Sequence, residues 1–297
     1  MYEYNEITCS SACHKVKSGV PYKWDLNVYR GCEHGCKYCF ALYTHKYMKS
    51  NDFFKEIYVK KNIAGQLDKL LSSKNWKGEP INLGGVTDNY QPAEEKYKIM
   101  SDIWEVLIKH KNPCTISTKS DLILRDFDLI KRLADITYVS IAATITCEKI
   151  RMDIEPGGVS SERRFEMLRI FKENTNSVTG LHIMPVIPFL TDTDENLDAL
   201  FLSGKNVNVD YAILQALNLR GETKNVFLSF IREKYPRIYN KLCLMYRNGY
   251  ADGAYREALY NKAADVMKKY NISNDYSLFM EKRLEAKNNY EQISLFE

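Results

Sequence analysis

Six short apolar, β-branched runs recur along the first two-thirds of the 297-residue chain: Leu26–Tyr29, Ile81–Val86, Cys114–Thr118, Thr137–Ala142, Leu181–Ile187 and Tyr211–Leu217. Helical patterns lie between them. Residues 94–110 set Ile99, Ile103, Val106 and Leu107 on one face, residues 121–134 do the same with Leu124, Phe127, Ile130 and Leu133, and residues 161–173 with Phe165, Leu168 and Phe171. Residues 192–202 open on Asp192 with Glu195 three positions on, a capping-box-like start. Strands without alternation, spaced by amphipathic helices, predict a parallel sheet buried on both faces. Six such units predict an α/β fold, a partial (β/α)6 TIM-like barrel. Beyond about Arg220 the pattern turns helical through residue 289, with a break at 249–253, and predicts a helical C-terminal extension that closes the open side of the barrel. The expected division is an N-terminal extension over 1–20, a barrel core over 21–219 and a helical region over 220–297.

Bulk properties narrow the setting. An apolar content of 45% suits a globular chain, and no apolar run approaches the roughly 18 residues of a membrane span, so no membrane partner is expected. The net charge of +4 does not by itself argue for nucleic acid. The 8 cysteines are unevenly spread, and the N-terminus lacks the basic-then-apolar pattern of a secretion signal. Both observations argue against disulfides, and unpaired cysteines with an exposed cysteine loop predict a reducing cytoplasm.

In such barrels the chemistry lies at the C-terminal ends of the strands. The loop after the first run carries Cys32, Cys36 and Cys39 in a C-x3-C-x2-C spacing. Three thiolates so placed wrap one face of a 4Fe–4S cluster and leave the fourth iron open to a ligand. Structural zinc needs four ligands, and His34 or His45 would have to complete the set, so spacing alone leaves zinc open. The other strand ends offer Gly84, Gly85, Thr87 and Asp88, then Ser117 through Ser120, then Ser140 and Thr144, then 184–188, all expected to converge on the cysteine loop. Cys9 and Cys13 lack further nearby thiols, and Cys114, Cys147 and Cys243 read as small apolar residues.

The segment 27–41, with Cys32, Cys36, Cys39 and Tyr38 before the last cysteine, resembles the cluster motif of the radical S-adenosylmethionine (SAM) superfamily, in the branch related to spore photoproduct lyase. Segments 84–94, 118–126, 155–156 and 185–192 match that branch in order. The resemblance implies a 4Fe–4S cluster on the three cysteines and SAM as cosubstrate. It implies that Tyr38 offers its backbone to the adenine, that Gly84 and Gly85 run beside the methionyl amine, and that Lys119 pairs with the methionyl carboxylate. Thr87 and Ser140 become candidates for ribose or methionyl contacts, and Val186 with Ile187 for packing on the adenine. The implied reaction is reductive cleavage of SAM to methionine and a 5′-deoxyadenosyl radical that abstracts hydrogen from a substrate. A flavodoxin or ferredoxin would supply the electron.

Two departures bear on the substrate. Where spore photoproduct lyases carry a hydrogen-returning cysteine this chain has Gly85, and the tyrosine after their third cluster cysteine is Phe40 here. Efficient repair of spore photoproduct is therefore not expected. Nucleic acid, DNA before RNA, is the leading substrate class, with Arg30, Tyr43, His45 and Tyr90 expected near the mouth. The same chemistry on a peptide or small molecule, or a non-catalytic iron–sulfur or zinc module, are the alternatives. The C-terminal Gln292, Ile293, Ser294, Leu295 and Phe296 resemble the peptide by which bacterial repair proteins dock on the sliding clamp; Gln292, Leu295 and Phe296 would be the anchors, unless the tail pins the last turn to the fold.

Overall fold

The computed structural model describes residues 2–16, 20, 22–47 and 52–284. Its strands in chain order are β1 (Glu3–Ile7), β2 (Cys13–Lys15), β3 (Trp24–Leu26), β4 (Tyr29–Arg30), β5 (Glu56–Lys60), β6 (Ile81–Leu83), β7 (Cys114–Thr118), β8 (Val139–Thr144), β9 (Val178–Val186) and β10 (Tyr211–Ala216). The larger sheet runs β10-β9-β8-β7-β6-β3-β2, and the smaller β1-β5-β4. From β3 to β10 every neighbour in the larger sheet is parallel, while β2 lies antiparallel on its edge. Helices Ile99–His110, Phe127–Ile136, Ser161–Asn174 and Asp194–Asn206 fill the crossovers. This is the partial barrel that the recurring runs predict. No described helix is long and apolar enough to cross a membrane.

The strands nevertheless alternate, contrary to the expectation of apolar residues on both faces. Ile81 and Leu83, Cys114 and Ile116, Val139 and Ile141, and Leu181 and Ile183 pack into one apolar cluster with the helices. Asn82, Thr115, Ser140 and His182 stand between them, buried and polar. Successive side chains of a strand take opposite faces, so the second face lines the barrel interior with hydrogen-bonding groups. Runs this short hide such a period.

Three boundaries also moved, each for a side-chain reason. The first strand stops at Leu26 because the Asn89 side chain accepts from Val28 N–H (3.1 Å) and Asn27 accepts from Val86 N–H (2.9 Å); Tyr29 and Arg30 then pair with β5 in the smaller sheet. The helix expected over 94–110 breaks at Lys98, whose φ is +51°. The break frees the buried Glu94 carboxylate to accept from Ile99 N–H (3.2 Å) and Met100 N–H (2.9 Å), capping the second half. Thr193, not Asp192, caps the helix that follows, accepting from Asn196 N–H at 3.2 Å. Asp192 is occupied by the Phe189 N–H (2.9 Å) and the Tyr255 hydroxyl (3.0 Å), which ties the barrel to a C-terminal helix. Such caps are each worth about 1 kcal/mol.

The C-terminal region is helical as expected: Glu222–Lys234, Pro236–Met245 and Gly253–Tyr270. Phe227, Ile231, Leu242 and Tyr246 share a cluster with Cys36 and Tyr38, so the first two of these helices cover the cysteine loop, while Gly253–Tyr270 packs on Asp194–Asn206 and β10. Farther on, Ser273 accepts from Ala212 N–H (2.8 Å) and Tyr276 stacks on Tyr211 at 5.5 Å, against the strand that ends the sheet. Gln292, Leu295 and Phe296 lie outside the described residues.

Candidate active site

The cysteine loop leaves β4 through Gly31, whose φ of +83° and 2.5 Å approach of a would-be Cβ to the Glu56 carbonyl admit no side chain. Cys32 N–H donates to Phe53 O (3.1 Å), Lys37 N–H to Ile154 O (2.9 Å) and Cys39 N–H to Cys36 O (3.1 Å). Cys32 and Cys36 are buried and Cys39 half-buried, and all three are free thiols. Burial pushes each thiol upward, Cys32 to about 12. Unligated they would be inert; metal binding reverses this by taking up the thiolate.

Two buried carboxylates hold the loop from opposite sides. Asp88 meets the His34 Nε2 (2.9 Å) and accepts from Thr118 Oγ1 (2.9 Å), Lys119 N–H (2.8 Å) and Tyr90 N–H (2.9 Å). Burial would raise its pKa, but the His34 ring and these donors outweigh that and hold it down at about 2. Glu155 accepts from the Tyr38 hydroxyl and from Arg164 Nη1 (2.7 Å). Arg164 also donates to Thr144 O (2.6 Å) and Val159 O (2.9 Å). The Arg164 and Glu155 side chains are only 0% and 2% exposed. Burial would raise Glu155 as well, but Arg164 and Lys119 outweigh it and lower its pKa.

Of the residues expected around SAM, the fold brings Tyr38 and Lys119 to the cysteines. The Lys119 ammonium sits 5.9 Å from the Tyr38 ring centre. Burial alone would lower its pKa, but Cys36 and Glu155 outweigh burial and raise it. Gly84 lies against β3, its N–H donating to Leu26 O at 2.8 Å, and Gly85 N–H donates to Asp25 Oδ1 at 3.0 Å. Thr87 donates to Gly31 O (2.6 Å) and accepts from Gln91 (3.0 Å), so its hydroxyl braces the loop. Ser140 is fully buried against the Tyr211 hydroxyl at 3.1 Å. Val186 packs in the cluster beneath the helices, while Ile187 beside it shares the cluster of Cys36 and Tyr38.

Two expected mouth residues are corrected. Tyr90 is fully buried, donating to Asp126 (2.8 Å) and accepting from the Trp104 indole (2.6 Å). His45 is buried against Phe53 (4.9 Å between rings), its Nε2 contacting Glu56 O at 3.1 Å. Tyr43 stays 48% exposed and Phe40 57%, one 3₁₀ turn apart in the segment Phe40–Tyr47. Sequence reasoning passed over Arg164, Asp25, His182 and Tyr211. An arginine on the inner face of the helix pattern at 161–173 was the one available signal; the others declare themselves only once the interior exists.

The donor set suits a polynuclear cluster. His34 has both ring nitrogens engaged, with Gly157 O (2.9 Å) and Asp88 (2.9 Å), so it does not complete a zinc site. Among the described residues no three His, Cys, Asp or Glu side chains converge as ligands of a single ion, whereas in a four-iron cluster each thiolate reaches its own iron. The thiols still influence one another, Cys36 feeling both Cys32 and Cys39, with Lys119 beside it.

Comparison with known proteins agrees. The family model described as the radical SAM superfamily matches residues 26–201. An uncharacterized protein of Mycobacterium tuberculosis is 33% identical over 285 residues, covering 92% of this chain and 82% of its own. An uncharacterized protein of Methanocaldococcus jannaschii is 30% identical over 218 residues, covering 73% and 78%. Spore photoproduct lyase complexed with dinucleoside spore photoproduct superposes with a TM-score of 0.68 at 13% identity, over 90% of this chain and 79% of that one, a likeness of fold. With the family model spanning more than half of its length, the chain belongs to the radical SAM superfamily, whose cofactors are SAM and a 4Fe–4S cluster.

Proposed function

We propose that this enzyme abstracts hydrogen from a nucleic acid, DNA before RNA, in a repair or modification reaction other than efficient repair of spore photoproduct. The observation that carries the reading is the exposed aromatic pair Phe40 and Tyr43 directly after Cys39, the kind of surface on which bases stack. When bound, the cluster supplies the electron that splits SAM into methionine and a 5′-deoxyadenosyl radical. Cys32, Cys36 and Cys39 would hold it. Lys119 would pair with the methionyl carboxylate, Gly84 and Gly85 would lie beside the amine, and the Tyr38 backbone, fixed through Glu155, would meet the adenine. The C-terminal helices packed on Cys36 and Tyr38 keep water from the loop.

The departure at Gly85 has a structural counterpart. A Cβ there would lie 2.4 Å from Asp25 Oδ2, so the space that a hydrogen-returning thiol would need is taken by a carboxylate. Phe40 offers no hydroxyl. Anaerobic reconstitution followed by dithionite reduction, with and without duplex DNA, tests the reading. Deuterium transfer from labelled DNA into 5′-deoxyadenosine supports it; transfer only from a peptide or small molecule replaces it. In this reading the electron donor is a flavodoxin or ferredoxin, the compartment is the reducing cytoplasm, and the tail at Gln292, Leu295 and Phe296 docks on a bacterial sliding clamp. Pull-down with the clamp, comparing wild type with the Leu295→Ala, Phe296→Ala double variant, checks the last point.

A further inference from the structure

We infer that Arg30, Lys60 and His14 form a phosphate-binding site on the rim beside Asp25 and Gly85, one that takes the phosphodiester backbone of the substrate. The inference rests on the nucleic-acid reading above and names where that substrate is gripped. Arg30 pairs with Tyr58 across β4 and β5, and Lys60 lies two residues beyond Tyr58, so both side chains share one face of the smaller sheet. His14 pairs with Asp25 across β2 and β3, on the face that Asp25 turns to the interior. Electrostatic influence joins the three: Lys60 and Arg30 both act on His14, and Arg30 acts on Lys60.

Among the described residues, Arg30 and Lys60 enter no ion pair. Lys60 is 4% exposed, yet its ammonium has one partner, the Asn27 carbonyl at 2.5 Å. A buried ammonium is normally matched by a carboxylate. The nearby carboxylates are committed elsewhere: Asp25 accepts from Asn27 (2.6 Å), Asn82 (2.7 Å) and Gly85 N–H (3.0 Å), and Glu56 accepts from the Tyr58 hydroxyl (3.3 Å). Burial and Arg30 pull Lys60 down to about 8, the condition an arriving anion would relieve. Arg30 lies two residues before Cys32, so a strand gripped there passes the cysteine loop and the exposed rings of Phe40 and Tyr43. A guanidinium and an ammonium side by side match a phosphate's oxygens.

Anisotropy of a short labelled single-stranded DNA on the reconstituted protein tests this across a salt series. Arg30→Gln should weaken binding about tenfold to a hundredfold, the range for a charge-assisted contact, and flatten the salt slope by roughly one. Arg30→Lys should keep the slope, and Lys60→Met should act as Arg30→Gln does. Cluster absorbance and thermal midpoint show that each variant is folded, and Arg30, half-buried, is replaceable without touching the core. A methylphosphonate-backbone oligonucleotide should bind wild type and Arg30→Gln alike. If wild type binds DNA and neither variant changes the slope, the site is overturned while the nucleic-acid reading stands. If a nucleoside monophosphate binds in an Arg30-dependent way and DNA does not, the site stands and the nucleic-acid reading falls. If neither ligand binds, the site is overturned.

Discussion

Glu155, a buried carboxylate, and Asp25, a half-buried one, both lie near the barrel's rim, but they are satisfied in opposite ways. Glu155 has a charged partner, Arg164, and a phenol, Tyr38, and its pKa is lowered. Asp25 is held only by neutral donors, and burial raises its pKa even though Lys60 lies close enough to feel it. The cysteine loop is thus fixed by charges paired within the protein, whereas across the rim Arg30 and Lys60 enter no ion pair among the described residues. Breaking a buried ion pair leaves an unmatched charge and is far costlier than the pair's net worth, so a closed network marks where geometry must not move. An open one marks where something from outside completes it.

The largest effect tests the loop itself. Replacing Cys32, Cys36 or Cys39 by Ala should abolish the brown chromophore and the roughly four irons per chain, while Cys9→Ser, whose backbone pairs with the Asn62 side chain at 2.8 and 2.9 Å, should leave both intact. Iron and acid-labile sulfide analysis checks it; stoichiometric zinc without sulfide would overturn the assignment.

Next, Arg164→Met should destabilise the fold by about 3–5 kcal/mol, because Glu155 then stays buried without its counter-ion. Denaturant titration measures this. A loss under 1 kcal/mol would mean that the loop side is no more closed than the rim.

The rim should respond to pH instead. Lys60 has a folded pKa of about 8, below its ordinary 10.5. The unfolded chain therefore binds more protons between these values, and stability should rise with pH across about 8 to 10.5, by about 3 kcal/mol. Lys60→Met should lack this rise relative to wild type. Parallel pH profiles of the two proteins would show the ammonium to be paired after all.

Lys119→Ala is the smallest change expected, weakening SAM binding by roughly 1.5–3 kcal/mol with the cluster spectrum unaltered. An unchanged dissociation constant would return Lys119 to a strand-end lysine whose ammonium merely rests on Tyr38.

Much of the scaffold was legible because it is written locally. Runs such as Cys114–Thr118 and the stripe of Ile130 and Leu133 in Phe127–Ile136 encode their own partners through spacing. The interior lining was not, since Asn82 and His182 become neighbours of a common space only when the strands curl together. Tyr90 misled for the same reason: an aromatic on a strand-end segment reads as a residue of the mouth, yet the fold sinks it beneath Trp104 and Asp126.

The sequence by itself determined the parallel sheet, the helical C-terminal region and a three-thiol loop at a strand end, because helix period, strand period and ligand spacing are short-range properties. Tertiary structure alone decided what holds that loop and what faces it. Tyr38 meets Glu155 across 117 positions and His34 meets Asp88 across 54. Lys60 loses its counter-ion to hydrogen bonds made between β3 and β6, among them that of Asn82 with Asp25, 57 residues apart. No pattern along the chain carries such pairings, since they depend on which strand ends the barrel brings side by side.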